Sequence, residues 1–260
     1  MKSKKKSIDL NCDLGESFGV YKLGMDEAVM GHITSANIAC GWHAGDPSVM
    51  NRTVQLAIKN KIKCGAHPGY PDLLGFGRRA MNVDNEELKH YLIYQIGALE
   101  AFCRVNGTRL HHVKPHGSLY HAAIENEQTA VAVAKAISSV DQNLIYVALA
   151  GEKGQMMSRI GKEFGLNVAL EAFPDRAYTP EGTLAPRNLT GAVITDPDEV
   201  SSRALKISSE GCIEATNGDL IELRVQTLCV HGDNPHAVQM VKEIRQKLER
   251  NNIAINPVKS

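Results

Sequence analysis

Short apolar or β-branched runs alternate with longer amphipathic stretches along almost the whole chain, a rhythm that predicts βα units wound around a parallel sheet. Strands are predicted at Ile8 to Asp13, Ser35 to Gly41, Lys63 to His67, Arg109 to His116, Ile145 to Leu149, Asn167 to Phe173 and Gln226 to His231. Seven such units in 260 residues fit one α/β domain, residues 1–260, in which the strands close into a parallel (β/α) barrel. Helix starts are marked by Asp46-Pro47, Asp196-Pro197 and Asn234-Pro235. In each, a side-chain oxygen caps exposed backbone N–H groups, and proline follows where no donor is needed. Capping-box spacing at Asp84 with Glu87 and at Asp196 with Glu199 adds to this. The firmest helical patterns run from Asp84 to about Asn106 and from Pro235 to about Asn251. Between Glu210 and Val225 the pattern changes to two short strands joined at Asn217-Gly218, both suited to positive φ, which predicts an antiparallel hairpin projecting from the barrel. Ile255 to Ser260 reads as a frayed tail.

Strands covered on both faces should be almost continuously apolar, so polar residues inside them stand out. In the first predicted strand Asp9, Asn11 and Asp13 share one parity and Leu10, Cys12 and Leu14 the other. One face is therefore polar while the opposite one can pack under helices. The fourth strand repeats the device with His112, Lys114 and His116. His43, His67, Glu171, Asp175, His231 and Asp233 fall at or just beyond other strand ends, which parallel topology gathers at one mouth. A buried lysine requires a carboxylate such as Asp13 or an anionic ligand, so Lys114 is the most telling of these positions. Asp46 reads as a cap only, and His90, His111 and His236 as surface or packing residues.

Composition narrows the function. Lysine and arginine total 29 against 29 acidic residues, a formal charge of zero that removes the basic surplus needed for broad nucleic-acid or anionic-membrane binding. The chain is 43% hydrophobic and only 5% aromatic, which predicts an aliphatic core. Six dispersed cysteines without a C-x-x-C pair predict reduced thiols and a cytoplasmic protein, with Cys40 in the core. No long apolar run suggests a signal or a membrane span. There is no G-x-x-x-x-G-K-[ST] loop and no Gly-x-Ser-x-Gly elbow. Gly75-Phe-Gly-Arg-Arg-Ala80 has the letters of a dinucleotide fingerprint but no strand feeding it. It reads instead as a mouth loop whose Arg78 and Arg79 suit phosphate or carboxylate. Asp13, His43, His67 and His116 are metal-ligand types without a diagnostic spacing, so a metal is left open.

Asn11-Cys-Asp-Leu-Gly-Glu16, Ala36-Asn-Ile-Ala-Cys-Gly-Trp-His-Ala-Gly-Asp46, Gly65-Ala-His-Pro-Gly-Tyr-Pro-Asp72, Gly75-Phe-Gly-Arg-Arg79 and Val113-Lys-Pro-His-Gly117 together resemble the LamB/YcsF family. Glu171-Ala-Phe-Pro-Asp-Arg-Ala-Tyr178 and Val230-His-Gly-Asp-Asn-Pro235 extend the likeness from Ile8 to about Asn251. The resemblance implies a seven-stranded barrel related to sugar and polysaccharide deacetylases. It also implies the A subunit of an ATP-dependent 5-oxoprolinase, working with subunits B and C to open the lactam of 5-oxoproline to L-glutamate while ATP becomes ADP and phosphate. ATP with Mg2+ would be bound by, or shared with, those partners. On that basis Asp13 or His116 is expected to orient or deprotonate water, Lys114 to stabilise an oxyanion or phosphate, and His67 to complete proton transfer. Arg78, Arg79 and Arg176 are the expected carboxylate or phosphate binders, with Asn37, His43, Asp175 and Asp233 as further substrate-binding positions. Two rivals stand beside this reading: a metal-dependent amide or deacetylase-type hydrolase acting alone, and a non-catalytic subunit that only holds 5-oxoproline.

Overall fold

The computed structural model describes residues 6–231 and 236–259. Six parallel strands follow in chain order: β1 (Ser7–Leu14), β2 (Ser35–Ala39), β3 (Lys63–His67), β4 (Leu110–Val113), β5 (Ile145–Leu149) and β6 (Asn167–Ala172). A small antiparallel hairpin, β7 (Cys212–Glu214) and β8 (Leu220–Glu222), precedes the seventh barrel strand, β9 (Thr227–His231). That last strand pairs with both β6 and β1 and closes the ring. The fold is thus the seven-stranded parallel (β/α) barrel. Its helices are α1 (Asp26–Met30), α2 (Pro47–Lys59), α3 (Asn85–Val105), α4 (Gly117–Glu125), α5 (Glu127–Val140), α6 (Gln155–Glu163), α7 (Pro197–Glu210) and α8 (Ala237–Arg250). Among the described residues no helix is long and apolar enough to cross a membrane.

Local chemistry explains the boundaries. Asp46 accepts from the N–H groups of Ser48 and Val49 at 2.8 and 2.9 Å, Asp84 from those of Glu86 and Glu87, and Asp196 from that of Asp198. Each satisfies donors that the first helical turn leaves open. The cap expected at Asn234-Pro235 lies outside the described residues. β2 stops at Ala39 rather than Gly41, because Gly41 turns at φ +90° and its N–H donates to the Ala44 carbonyl. β4 stops at Val113 rather than His116, since Pro115 has no N–H with which to extend the ladder. In the hairpin only Gly218 has positive φ; the Gly218 N–H donates to Ala215 O, so the connection is one residue wider than an Asn-Gly two-residue turn.

The C-terminal segment is the larger correction. Ala254 and Ile255 form β10 (Ala254–Ile255), pairing with Ser7 and Ile8, and the Asn256 N–H donates to Ile8 O at 3.0 Å. The Val258 carbonyl then accepts from His111 Nε2 at 3.1 Å. Instead of fraying, residues 254–258 cover the N-terminal end of the barrel.

Alternation in β1 sorts the two faces. Leu10 and Cys12 are fully buried outward beneath the helices, while Asp9, Asn11 and Asp13 point into the barrel. Asp9 lies deepest and accepts from the hydroxyls of Thr34, Ser35 and Thr227, which meet the acceptors of a carboxyl whose pKa burial raises. One level higher, Asn11 donates to Glu171 Oε1 at 2.9 Å and Thr227 Oγ1 at 2.6 Å. His112 shares that level and lies across β3, where a Cβ on Gly65 would collide with its ring. The barrel interior is therefore a hydrogen-bonded polar column, and the aliphatic core lies between sheet and helices.

Candidate active site

Lys114 is the central cation of the mouth. Its Nζ, on a side chain 3% exposed, stands 2.9 Å from Asp13 Oδ1, 3.1 Å from Glu171 Oε1 and 3.0 Å from Cys229 Sγ. Burial opposes the charge, but Asp13, Cys229 and Glu171 outweigh it and raise the Lys114 pKa well above the ordinary lysine value. Burial likewise opposes ionisation of Asp13, and the facing His67 and Lys114 charges reverse that and hold it well below the usual carboxylate range. Glu171 remains raised by burial despite Lys114, so Asp13 is the principal counter-ion. Asn37 steadies that carboxylate, donating to Asp13 Oδ1 at 2.8 Å and Asn11 Oδ1 at 2.7 Å while accepting from His112 Nε2 at 2.8 Å.

Two imidazoles share a proton beside Asp13. His67 Nδ1 donates to the Lys114 carbonyl at 2.7 Å, and His116 Nε2 donates to the Phe76 carbonyl at 2.8 Å. Carbonyls only accept, so both outer nitrogens carry hydrogen. The inner nitrogens, His67 Nε2 and His116 Nδ1, face each other at 2.9 Å. Two lone pairs would repel there, so one proton lies between them and the pair bears one positive charge. Asp13 Oδ2, 3.3 Å from His67 Nε2, balances it. Burial and the facing His67 push the His116 pKa well below the usual histidine value. His43 stacks on His116 with ring centroids 3.7 Å apart and planes 5° from parallel, held neutral by burial and the adjacent imidazoles. Gly77, at φ +62°, lets the mouth loop pass this stack, since a Cβ would come within 2.8 Å of His116 Cδ2.

Above these groups opens a cavity of about 650 Å³, within the usual range for small-molecule sites. Asp13, His67, Lys114 and His116 all line it, as do Arg78 and Arg176. The remaining expected positions fall elsewhere. Asn37 and His43 are fully buried behind the reactive groups, bracing Asp13 and His116 rather than meeting a ligand. Arg79 is held by the Asp72 carboxylate outside the cavity. Asp175 is buried against His231, its Oδ2 2.7 Å from Nδ1. Asp233 lies outside the described residues.

A LamB/YcsF family profile matches residues 8–260. The chain belongs to the LamB/YcsF family. A Pyrococcus abyssi relative, named as the A subunit of 5-oxoprolinase, is 54% identical over 252 residues, covering 97% of this chain and 98% of its own. A Natranaerobius thermophilus protein of the same name is 54% identical over 250 residues, or 96% of each chain. The crystal structure of a lactam utilization protein from Thermus thermophilus superposes with a TM-score of 0.91 at 43% identity, covering 97% of this chain and 100% of that one. A putative cellobiose-phosphate cleavage protein from Enterococcus faecalis, at TM-score 0.57 and 13% identity over 97% of both chains, shares the fold alone.

Two ligand-type clusters lie in this LamB/YcsF barrel, Glu16 with His43, His67 and His116, and Asp13 with Cys229 and His231. In each the ligand atoms lie within 4.8 Å of one another, and in the first His43 Nδ1 and Nε2 are buried without a hydrogen-bond partner among the described residues. His43 and His116 would offer imidazole nitrogens to an ion there, and both His116 nitrogens already have partners, His67 Nε2 and the Phe76 carbonyl. In the second cluster the Lys114 ammonium already occupies the space between Asp13 and Cys229. The Lys114 ammonium is the side-chain cation held between Asp13 and Glu171. Sequence reasoning places Glu171 in the polar ring without assigning it to Lys114, and it misses Cys229 and Arg187. Glu171 has the inward parity of a β6 residue and is legible on that ground; Arg187 sits in a loop without periodicity and carries no signal.

Proposed function

We propose that this chain is the lactam-opening subunit of a 5-oxoprolinase, hydrolysing the cyclic amide of 5-oxoproline to L-glutamate within a complex that couples the step to ATP. The observation that carries this reading is the buried Lys114 ammonium, held between Asp13 and Glu171 and sharing one cavity with the proton-sharing His67–His116 pair. The names of the relatives supply the substrate and the multi-subunit context.

Opening a lactam needs a held water, a cation at the developing oxyanion and a proton for the departing nitrogen. Asp13 lines the cavity and holds the attacking water, accepting its proton as the C–O bond forms. Lys114 Nζ stabilises the negative charge at the former carbonyl oxygen, which bears the phosphoryl group of ATP once the lactam is activated; a second water then releases that group as phosphate and leaves the glutamate carboxylate. His67 gives its proton to the ring nitrogen as the C–N bond breaks, and His116 steadies that proton before transfer. Arg78, whose guanidinium lies 4.8 Å from the Phe76 ring centroid, takes the substrate carboxylate. ATP supplies activation of the amide oxygen, and in the absence of a phosphate loop in this chain we assign the nucleotide to the partner subunits B and C.

The test is glutamate release from 5-oxoproline and ATP by the reconstituted complex. Lys114→Met and Asp13→Asn are expected to lower turnover by about 10²–10³-fold, as removal of an oxyanion donor does. Turnover within about threefold of the wild type in both variants rejects a catalytic role for this mouth and leaves a purely binding subunit.

A further inference from the structure

His231 ends β9 and has no part in the water, oxyanion and proton steps assigned to Asp13, Lys114 and His67. Thr227, Cys229 and His231 share one parity on that strand, and their partners across β1 are Asp9, Asn11 and Asp13, so the imidazole enters the mouth beside Asp13. It lines the cavity, and one of its nitrogens lies within 4.8 Å of an Asp13 carboxylate oxygen. Asp175, 1% exposed, fixes the ring: its Oδ2 accepts from His231 Nδ1 at 2.7 Å and from the His231 backbone N–H at 3.2 Å. Burial opposes the Asp175 charge, yet His231 and these hydrogen bonds hold the carboxyl below its ordinary range. A carboxylate only accepts, so Nδ1 carries hydrogen and the lone pair of the neutral ring is on Nε2, which has no hydrogen bond among the described residues. Phe173 braces both this ring, 5.6 Å away and 17° from parallel, and Lys114 Nζ, 5.2 Å from its centroid. The base and the ammonium therefore address one space.

Water attack on an O-phosphorylated lactam, followed by C–N cleavage, leaves an acyl phosphate whose own amine stands where it can close the five-membered ring again. Closure returns 5-oxoproline and phosphate, so ATP is consumed without product unless a second water reaches the acyl carbon first. That water needs a base. Asp13 has by then taken the first water's proton and His67 has given its own to the amine; across 3.3 Å the two only restore one another. His116 has partners on both nitrogens. We propose that His231 is the general base for this second water, with Asp175 as its positioning residue. This deepens, and rests on, the proposed lactam-opening function. As His231 Nε2 takes the proton, the water oxygen bonds to the acyl carbon, and the bond from that carbon to the phosphate oxygen breaks with its electron pair going to phosphate. His231 then passes the proton to the leaving phosphate, and the carboxylic acid formed loses its own to solvent.

The test is the ratio of glutamate to phosphate released by the reconstituted complex from 5-oxoproline and ATP. His231→Asn keeps a side-chain N–H for Asp175 and removes the Nε2 base. A general base contributes about 10²–10⁴-fold, while ring closure needs none, so the ratio is expected to fall about tenfold or more with 5-oxoproline-dependent phosphate release largely kept. Hydroxylamine should intercept the diverted acyl phosphate as a hydroxamate in this variant. Asp175→Asn, which removes the charge that fixes the tautomer, should lower the ratio in the same direction. An unchanged ratio in both variants overturns the role, and so does an equal fall of glutamate and phosphate, which marks a structural or earlier part. Should His231→Asn melt well below the wild type, the Asp175→Asn ratio decides. Absence of glutamate release from the wild-type complex rejects the lactam-opening reading, whereas fully coupled release by both variants rejects only the role of His231.

Discussion

Replacing Lys114 by Met removes the ammonium and keeps most of the buried stem. The two carboxylates at 2.9 and 3.1 Å then face each other with Asp13 8% and Glu171 0% exposed at the side chain. Removing one partner of a buried ion pair costs about 3–5 kcal/mol, because the other charge stays buried. Asn37 and the His67 charge still serve Asp13, which favours the lower end. For a chain of this size, at roughly 2–4 °C per kcal/mol, the melting temperature falls by roughly 6–20 °C. The pH dependence gives the sign. In the wild type the folded Asp13 pKa is depressed, so its stabilisation is present above the unfolded carboxylate value and is lost only as pH falls through the lower folded value. Without Lys114, Asp13 loses a cation and the already raised Glu171 rises further, so the folded variant takes up protons before the unfolded chain does. The stability gap between variant and wild type should therefore narrow as pH falls from 7 towards 5. Urea unfolding followed by Trp42 fluorescence at both pH values measures it. A variant within about 1 kcal/mol of wild type at pH 7, with a gap that does not change with pH, refutes Lys114 as the counter-ion of the mouth.

Three further outcomes are expected. Burial keeps His43, His112 and His116 neutral in the fold, with pKa values well below the usual one, whereas unfolded histidines protonate near 6.5, so stability should decline by up to about 4 kcal/mol per pH unit as pH falls below that value. Buried Asp9 and Glu171, with raised pKa values, oppose this towards pH 5; a flat stability profile from pH 7 to 5.5 contradicts the neutral assignments. Gly77→Ala introduces a Cβ at positive φ against His43 and His116, and should cost about 1–3 kcal/mol while depressing glutamate release more than Arg79→Ala, whose guanidinium is held outside the cavity. Elemental analysis of the purified chain should find no stoichiometric zinc or other transition metal; one tightly held ion per chain, with unfolding or inactivation on its removal, defeats the assignment of Lys114 as the central cation of the mouth.

The barrel was legible because its signals are local. Alternation in β1, the apolar run of β5 and the Asp-Pro starts of α2 and α7 report backbone preferences a few residues long, and those elements lie where the pattern put them. Parity also disclosed that Asp13 and Lys114 face inward. What parity cannot disclose is which inward groups meet. Lys114 and Asp13 are 101 positions apart, and Asn11 reaches Glu171 across 160. Closure of β9 onto β1 decided that Glu171 and Cys229 complete the lysine cage, that Asn37 and His43 stand behind reactive groups, and that residues 254–258 seal the far end. Arg79 and Arg187 were separated by loop geometry alone, one captured by Asp72 and the other turned to the cavity. The sequence by itself determined which faces are polar; the tertiary structure decided which charges neutralise one another, because that depends on distances set only when the ring of strands closes.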